Sequence, residues 1–582
     1  MCGIAGVMMR DGSAPPETML DRLMAGIAHR GPDGQGRLVR GDTALLQSRL
    51  AIIDLDTGDQ PLFAPNGVAL VANGEIYNNP ELRAEMAGAA FRTRSDCEPP
   101  VFLYAAGDLH FADRLRGMYA IAIHDPAETR LVLARDPFGI KPLYYAVTPT
   151  AFAFASEPQA LLAAGFGTAT VDPLRRAELL QLKFTTGAAT IFPGISRVLP
   201  GETLVVTPDS VRSLPIRAVL PAGAPLRQAQ TIAGLDAVLQ DSVAVHLRSD
   251  VPYGLFLSGG IDSAAVLTLM ARLAGQRVQA LSMGWAGGGE ADESAEAARL
   301  AAVAGADCEV LRMGPAEFWA LAPRIAACID DPTADAAVLP SYMLGSAARA
   351  GGLKVTLCGE GADELFGGYS RYRKRRAPWR WIARKPRSGA MFGDVSALAG
   401  WRDGIAAAEA AISHERSPMQ GAQEIDIAEW LPNDLLTKLD RCLMAHGVEG
   451  RTPFLDPEVA AFAFRLPDAQ KAGLRFGKVL LRDWLAAKFP EAGAYARKKG
   501  FKPPVGAWIA ARGEKLARLV AAQPGIAACV PATIVHATFA GAAARAQPAW
   551  SLLYYALWHS HHIMGLSAEG DIGHVLAAAA AA

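Results

Sequence analysis

No apolar run in the 582 residues is long enough to cross a bilayer, and the start, MCGIAGVMMRDG, lacks the basic-then-apolar order of a secretory signal. The chain therefore reads as cytoplasmic, with no membrane partner. Its seven cysteines form no CxxC pair and no Cys/His cluster, which speaks against a disulfide framework and against a zinc site. A formal net charge of −1, with acidic and basic residues interspersed, offers no basic face to nucleic acid. The glycine turn at 258–263 lacks the lysine and the spacing of a Walker A loop, so kinase and motor readings are poor. The length exceeds one ordinary core, and two or three domains are expected.

What is present centres on VPYGLFLSGGIDS at 251–263. A strand-type run, a double-glycine turn and an Ala-rich helical segment follow one another without a gap. That order gathers unpaired backbone N–H groups and the positive end of a helix dipole at one point, which suits an anion. Gly259 and Gly260 let the main chain approach phosphate closely, and Ser258 and Ser263 add hydroxyl donors. Asp262 would repel a polyphosphate unless a divalent cation lay between them, so the turn implies Mg²⁺ as well.

Cys2 is the other focus. Loss of the initiator Met would leave it with both a thiol and a free α-amine, and an α-amine, which ordinarily titrates near pH ~8, can serve the adjacent nucleophile as its base. Segments such as VALVANGE, YAIAIHD and LVLARD, apolar and bounded by Gly, Asp or Pro, suggest stacked antiparallel sheets in the amino-terminal third. From about 231 onward strand-type and helix-type segments alternate, which indicates a parallel sheet covered by helices on both faces, with ligands at the strands' carboxyl ends. The expected division is 2–205, a Pro- and Ala-rich linker at 206–230, a second domain at 231–565, and a disordered Ala-rich tail at 566–582.

Cys2 together with HRGPD (29–33), SRLAIIDL (48–55), NGEIYN (73–78), RSDCE (94–98), GMYAIAIHD (117–125), RDPFGIKPLYY (135–145) and FASEPQAL (154–161) closely resembles the class II glutamine amidotransferase domain. The resemblance implies an α+β N-terminal-nucleophile sandwich (αββα). It implies that Cys2 attacks the glutamine side-chain amide and that Asn73 and Gly74 donate to the resulting oxyanion. Arg49 would take the substrate α-carboxylate and Asp96 the α-ammonium, with Glu75 on the same loop. HRGPD reads as structural, Arg30 and Asp33 fixing a loop under the nucleophile, and His29 as no partner in a Cys-His dyad. DCEPP departs from the family at Cys97, where a Thr is usual.

The hexapeptide SGGIDS resembles the SGGxDS loop of ATP pyrophosphatases, and LCGEGADELFGGY (357–369) resembles the SGEGxDExFGGY signature of asparagine synthetases, with Cys358 in place of Ser. KLDRCLMAHGVEGRTPFLD (438–456), FGKVLLRDW (476–484) and RKKGFKPPVGAW (497–508) extend the likeness to about residue 560. It implies an α/β doubly wound parallel-sheet ATP pyrophosphatase domain with a helical C-terminal part. Leu257 and Met283 would line the adenine pocket, Cys358 and Gly359 would follow the adenosine, and Asp262 and Asp363 would share Mg²⁺. Glu360 would sit beside the acyl phosphate, and Lys478 would face the α-phosphate.

The reaction implied is glutamine-dependent amidation of aspartate with ATP as co-substrate, through a glutamyl thioester and β-aspartyl-AMP. Rivals are a relative that amidates a sugar acid, peptide or antibiotic precursor, a β-lactam-forming synthetase, which generally lacks the cysteine, and a catalytically idle descendant. Relatives are often homodimers, although no stretch here shows an interface.

Overall fold

A computed structural model describes residues 2–226, 230–287, 292–375, 389–393, 395–496 and 503–581. Met1 and the RKKGFK part of the 497–508 motif lie outside the described residues.

The amino-terminal third builds two antiparallel six-stranded sheets. One runs in the order Ile195–Arg197, Tyr144–Val147, Ala151–Ala155, Gly3–Met9, Thr43–Arg49 and Gly34–Arg40. The other runs Val211–Ser213, Thr203–Val206, Arg130–Arg135, Gly117–Asp125, Ala69–Ile76 and Leu62–Phe63. Gly3–Met9 and Gly117–Asp125 are buried on both faces, which is why they read as continuous apolar runs instead of alternating ones. Ile4, Met8, Val71, Ala122, Leu133 and Phe154 pack between the sheets. Leu20, Leu23 and Ile27 of the helix Glu17–Ile27 cover the outside of the first sheet, and Val101 and Leu103 of the helix Pro99–Ala105 cover that of the second. The result is the expected αββα sandwich.

Two expected boundaries shift. Val211–Ser213 pairs with Thr203–Val206, so chain assigned to the 206–230 linker belongs to a sheet. The Ala-rich tail is no disordered segment: Ile572–Ala581 is helical and buries Ile572, Val575, Leu576 and Ala579, with Gln523 Nε2 donating to the Leu576 carbonyl at 2.8 Å. An alanine run is a strong helix former, and here tertiary contact gives it a surface to cover.

The second domain holds a five-stranded parallel sheet in the order Asp307–Met313, Gln279–Trp285, Tyr253–Phe256, Val355–Leu357 and Glu449–Arg451. From Tyr253–Phe256 the chain first winds to one side, then returns to place Val355–Leu357 on the other. The crevice between the carboxyl ends of those two strands is the topological switch point, where ligands bind in such sheets. Among the described residues no helix is long and apolar enough to cross a membrane.

Candidate active sites

Cys2 lies at the start of the central strand Gly3–Met9 and is buried. Its backbone N donates to Asn73 Oδ1 at 3.1 Å, from the facing sheet. That bond turns the Asn73 amide so that Nδ2 is buried with no partner among the described residues. A buried N–H₂ without an acceptor costs free energy unless a ligand supplies one, and an oxyanion formed on Cys2 is such an acceptor. Gly74 is fixed by packing: a Cβ there would stand 2.2 Å from the Met118 carbonyl oxygen on the neighbouring strand. Burial pushes the Cys2 thiol up, against the pull of the Leu50 backbone. A thiol held neutral needs a base to become a nucleophile.

Arg49 ends the strand Thr43–Arg49, where its guanidinium meets Asp59 at 2.7 Å and the Asp54 carbonyl at 2.5 Å. Asp96 accepts from the Ile76 backbone N at 2.6 Å, and burial pushes its carboxyl up to about 6. Cys97 Sγ donates to the Gly74 carbonyl at 3.6 Å, so the thiol that replaces the usual Thr still ties this loop to the strand beside Cys2. A cavity of about 170 Å³ is lined by Glu75 and Asp96 and, from the second domain, by Arg248 and Asp250, two residues the motifs gave no reason to include.

Arg30 sits beside Cys2. Its Nε donates to the Cys2 carbonyl at 3.1 Å, and its Nη atoms meet Glu157 at 2.6 Å and Asp440 at 2.8 Å. Asp33 accepts from Ala51 N and from Lys354 Nζ. His29 bonds to Glu157 at 3.1 Å. All of these side chains therefore hold loops, and Asp440 brings the second domain against the first.

At the switch point a cavity of about 640 Å³ opens over both glycine-rich turns. Leu257, Ser258, Gly260, Asp262, Ser263, Met283, Cys358, Gly359, Glu360 and Asp363 all line it. Gly259 supplies the bend with a φ of 42°, and Ser263 Oγ accepts from Ser258 N at 3.1 Å. Gly260 caps the helix Ile261–Leu273 with no side chain over its first turn, leaving that end open to an anion. The Cys358 thiol donates to the Arg451 carbonyl at 3.2 Å.

Lys478 joins the two turns. Its Nζ lies 2.6 and 2.7 Å from the Asp262 carboxylate oxygens and 2.6 Å from Asp363 Oδ1. A Cβ on Gly368 would stand 1.7 Å from Asp363 Oδ1 and 2.3 Å from Lys478 Cε, so only glycine admits this approach. Two carboxylates that converge on one positive centre beside a phosphate-type turn fit Mg²⁺, which takes one or two carboxylates and completes its shell from phosphate and water. Among the described residues no group of three or more His, Cys, Asp or Glu side chains stands ready to hold a metal.

Three charged groups of this cavity are assigned no role from sequence. Lys438 Nζ lies 3.8 Å from Glu360 Oε1, although the KLDRC stretch by itself assigns its lysine no role. Glu364, inside the acidic motif, bonds to Tyr369 at 2.8 Å, and burial with Asp363 nearby pushes its carboxyl up to about 7. Lys183 reaches the cavity from the first domain; nothing local marks it.

Comparison with known proteins agrees with both halves. The asparagine synthase family model matches residues 234–560, and the glutamine amidotransferase domain model matches 1–215. Asparagine synthetase [glutamine-hydrolyzing] 1 of Bacillus subtilis is 30% identical over 97% of each chain. Asparagine synthetase B of Escherichia coli is 29% identical over 87% of this chain and 82% of its own. Amidase chyE of Penicillium rubens is 31% identical over 64% of this chain and 60% of its own. The chain belongs to the asparagine synthase family, a glutamine-dependent ligase family in which an amidotransferase domain precedes the synthetase domain.

Proposed function

We propose that this protein makes asparagine from aspartate, with glutamine as nitrogen donor and ATP as the activating co-substrate. The observation that carries the reading is the meeting of Asp262, Asp363 and Lys478 at the switch point. A turn that cradles pyrophosphate and an acidic turn that brings charge to it are both needed for adenylation, and neither works apart.

In the first site Cys2 Sγ attacks the glutamine side-chain carbon and its proton passes to the α-amine exposed once Met1 is removed. The oxyanion is held by Asn73 Nδ2 and the Gly74 N–H; the α-ammonium returns its proton to the amide nitrogen as the C–N bond breaks, ammonia leaves, and water hydrolyses the thioester to glutamate. Arg49 and Asp96 hold the substrate's α-carboxylate and α-ammonium. In the second site an oxygen of the aspartate side-chain carboxylate attacks the α-phosphorus, the bond to the β-phosphate oxygen breaks, and pyrophosphate stays on the 258–263 turn. Lys478 offsets the charge that develops there. Mg²⁺, held by Asp262 and Asp363, supplies neutralisation of the polyphosphate when bound. Ammonia then attacks the acyl carbon and AMP leaves, with Glu360 placed to take the proton of the attacking nitrogen.

The test is direct: protein supplied with aspartate, glutamine and ATP should form asparagine, AMP, pyrophosphate and glutamate in equal amounts. The likeness to an amidase favours one alternative, the same two half-reactions on a different carboxylate. Pyrophosphate release with another acid, and none with aspartate, would establish it.

A further inference from the structure

The acceptor must share the nucleotide's cavity, so whatever recognises it has to come from the wall beyond the phosphate turn. Charged groups gather there. Glu360 lies 3.8 Å from Lys438, and Asp335 Oδ2 lies 3.1 Å from Lys183 Nζ; all four residues line the cavity. Burial pushes the Asp335 carboxyl up, and the ammonium groups of Lys183 and Lys438 outweigh it and hold it well below the usual carboxylate range. Asp335 is therefore charged, under the influence of two cations.

Lys183 is an unusual occupant of this wall. It belongs to the amidotransferase domain and caps the helix Pro173–Leu182 with φ 85° and ψ −9°, a left-handed conformation ordinarily left to glycine. A lysine keeps such a backbone only where its surroundings over-determine it, and residues of that kind gather at ligand sites. Its carbonyl accepts from Ala334 N at 2.7 Å, one residue before Asp335, so backbone and ion pair together fix the two charges. Asp434 Oδ2 lies 3.3 Å from the same ammonium, but Asp434 is fully buried and bonded to Thr333 and Trp430, which leaves Asp335 as the carboxylate that reaches the cavity.

We infer that Lys183 and Asp335 read the acceptor's α-carbon, Asp335 taking an α-ammonium and Lys183 an α-carboxylate, which makes the acceptor an acidic α-amino acid. The inference rests on the proposed function and deepens it. The cavity wall thus offers two cations, Lys438 and Lys183, and, beside Lys183, the anion Asp335. Aspartate presents the complement: side-chain carboxylate, ammonium, α-carboxylate. Asp335 has capacity for the ammonium, because a carboxylate accepts at about four positions and this one is engaged by Ala337 N at 3.0 Å and by Lys183.

Pyrophosphate release is measured with aspartate, with succinate, which lacks the ammonium, and with β-alanine, which lacks the α-carboxylate. The proteins are wild type, Asp335→Asn, Lys183→Met and Lys183→Arg. Loss of one charge-assisted contact predicts an aspartate KM raised about 10- to 100-fold in Asp335→Asn and Lys183→Met, with the KM for ATP unchanged. Lys183→Arg should recover most of the loss, which a damaged fold would not. Asp335→Asn should also erase the preference for aspartate over succinate, and Lys183→Met the preference over β-alanine. An aspartate-to-succinate ratio equal in Asp335→Asn and wild type overturns the inference, as does a wild-type preference for an acid without an ammonium. A wild type that amidates a different acidic amino acid and still shows these effects removes the proposed function alone; asparagine formation indifferent to both substitutions removes this inference alone.

Discussion

Asn73→Ala tests the glutaminase site most sharply, because both ends of that side chain meet groups of the proposed reaction. Oδ1 accepts the Cys2 backbone N–H at 3.1 Å, and Nδ2 is buried without a partner among the described residues. Removing an oxyanion donor costs about 10²- to 10³-fold in kcat, roughly 2.7–4 kcal/mol of transition-state stabilisation. Removing the acceptor leaves the Cys2 N–H unpaired, about 1–3 kcal/mol, and frees the nitrogen that serves as base in the proposed mechanism, so it adds to the loss of rate. Glutamate release at saturating glutamine should therefore fall about 10²- to 10³-fold. Pyrophosphate release driven by ammonium chloride, in the same preparation, should stay near that of the parent, since the second site lies on another domain. A glutaminase loss of less than about fivefold would refute the assignment of Nδ2 to the oxyanion, for no other donor replaces so large a share. Equal loss in both assays would show a folding defect instead.

Three further outcomes are expected. Lys478→Met removes the ammonium shared by Asp262 and Asp363 and should lower pyrophosphate release by about 10²-fold or more while glutamate release continues; retention of adenylation would sink its placement at the phosphate. Asp96 is pushed up to about 6 by burial, so below that pH it loses the charge that would hold an α-ammonium: the KM for glutamine should climb as pH falls through 6, and Asp96→Asn should have a high KM at every pH. Asp440→Ala strips Arg30 of one of its buried carboxylates and should cost about 3–5 kcal/mol, read as a clear drop in Tm; a shift of only about one degree would show that the domains are held elsewhere.

The fold was legible wherever local order is enough. Ala69–Ile76, Gly117–Asp125 and Arg130–Arg135 overlap VALVANGE, YAIAIHD and LVLARD, segments whose apolar length marks buried strands, and the strand-turn-helix at 253–273 follows from two glycines between a β-type run and an alanine-rich one. Glu449–Arg451 was not: three residues, two of them charged, carry no strand pattern, and they join the sheet because Glu449 and Arg451 pair with each other inside it. The tail misled in the opposite sense, since low complexity describes composition and says nothing of whether a neighbouring surface is there to bury it.

The chemistry of each turn was determined by sequence alone: double glycine with Ser and Asp at 258–263, acid-rich glycine at 359–368, and a thiol at position 2 are short-range facts, set by which residues can bend, donate or ionise. Tertiary structure alone decided how those pieces meet. Lys478 comes to lie between Asp262 and Asp363 only because strands from 253 and 355 are neighbours across the switch point and Gly368 lets the lysine pass. Lys183 enters the second domain's cavity, and Asp440 the first domain's floor, for the same reason: charges distant along the chain are brought together by the packing of whole sheets and helices, which no spacing between residues encodes.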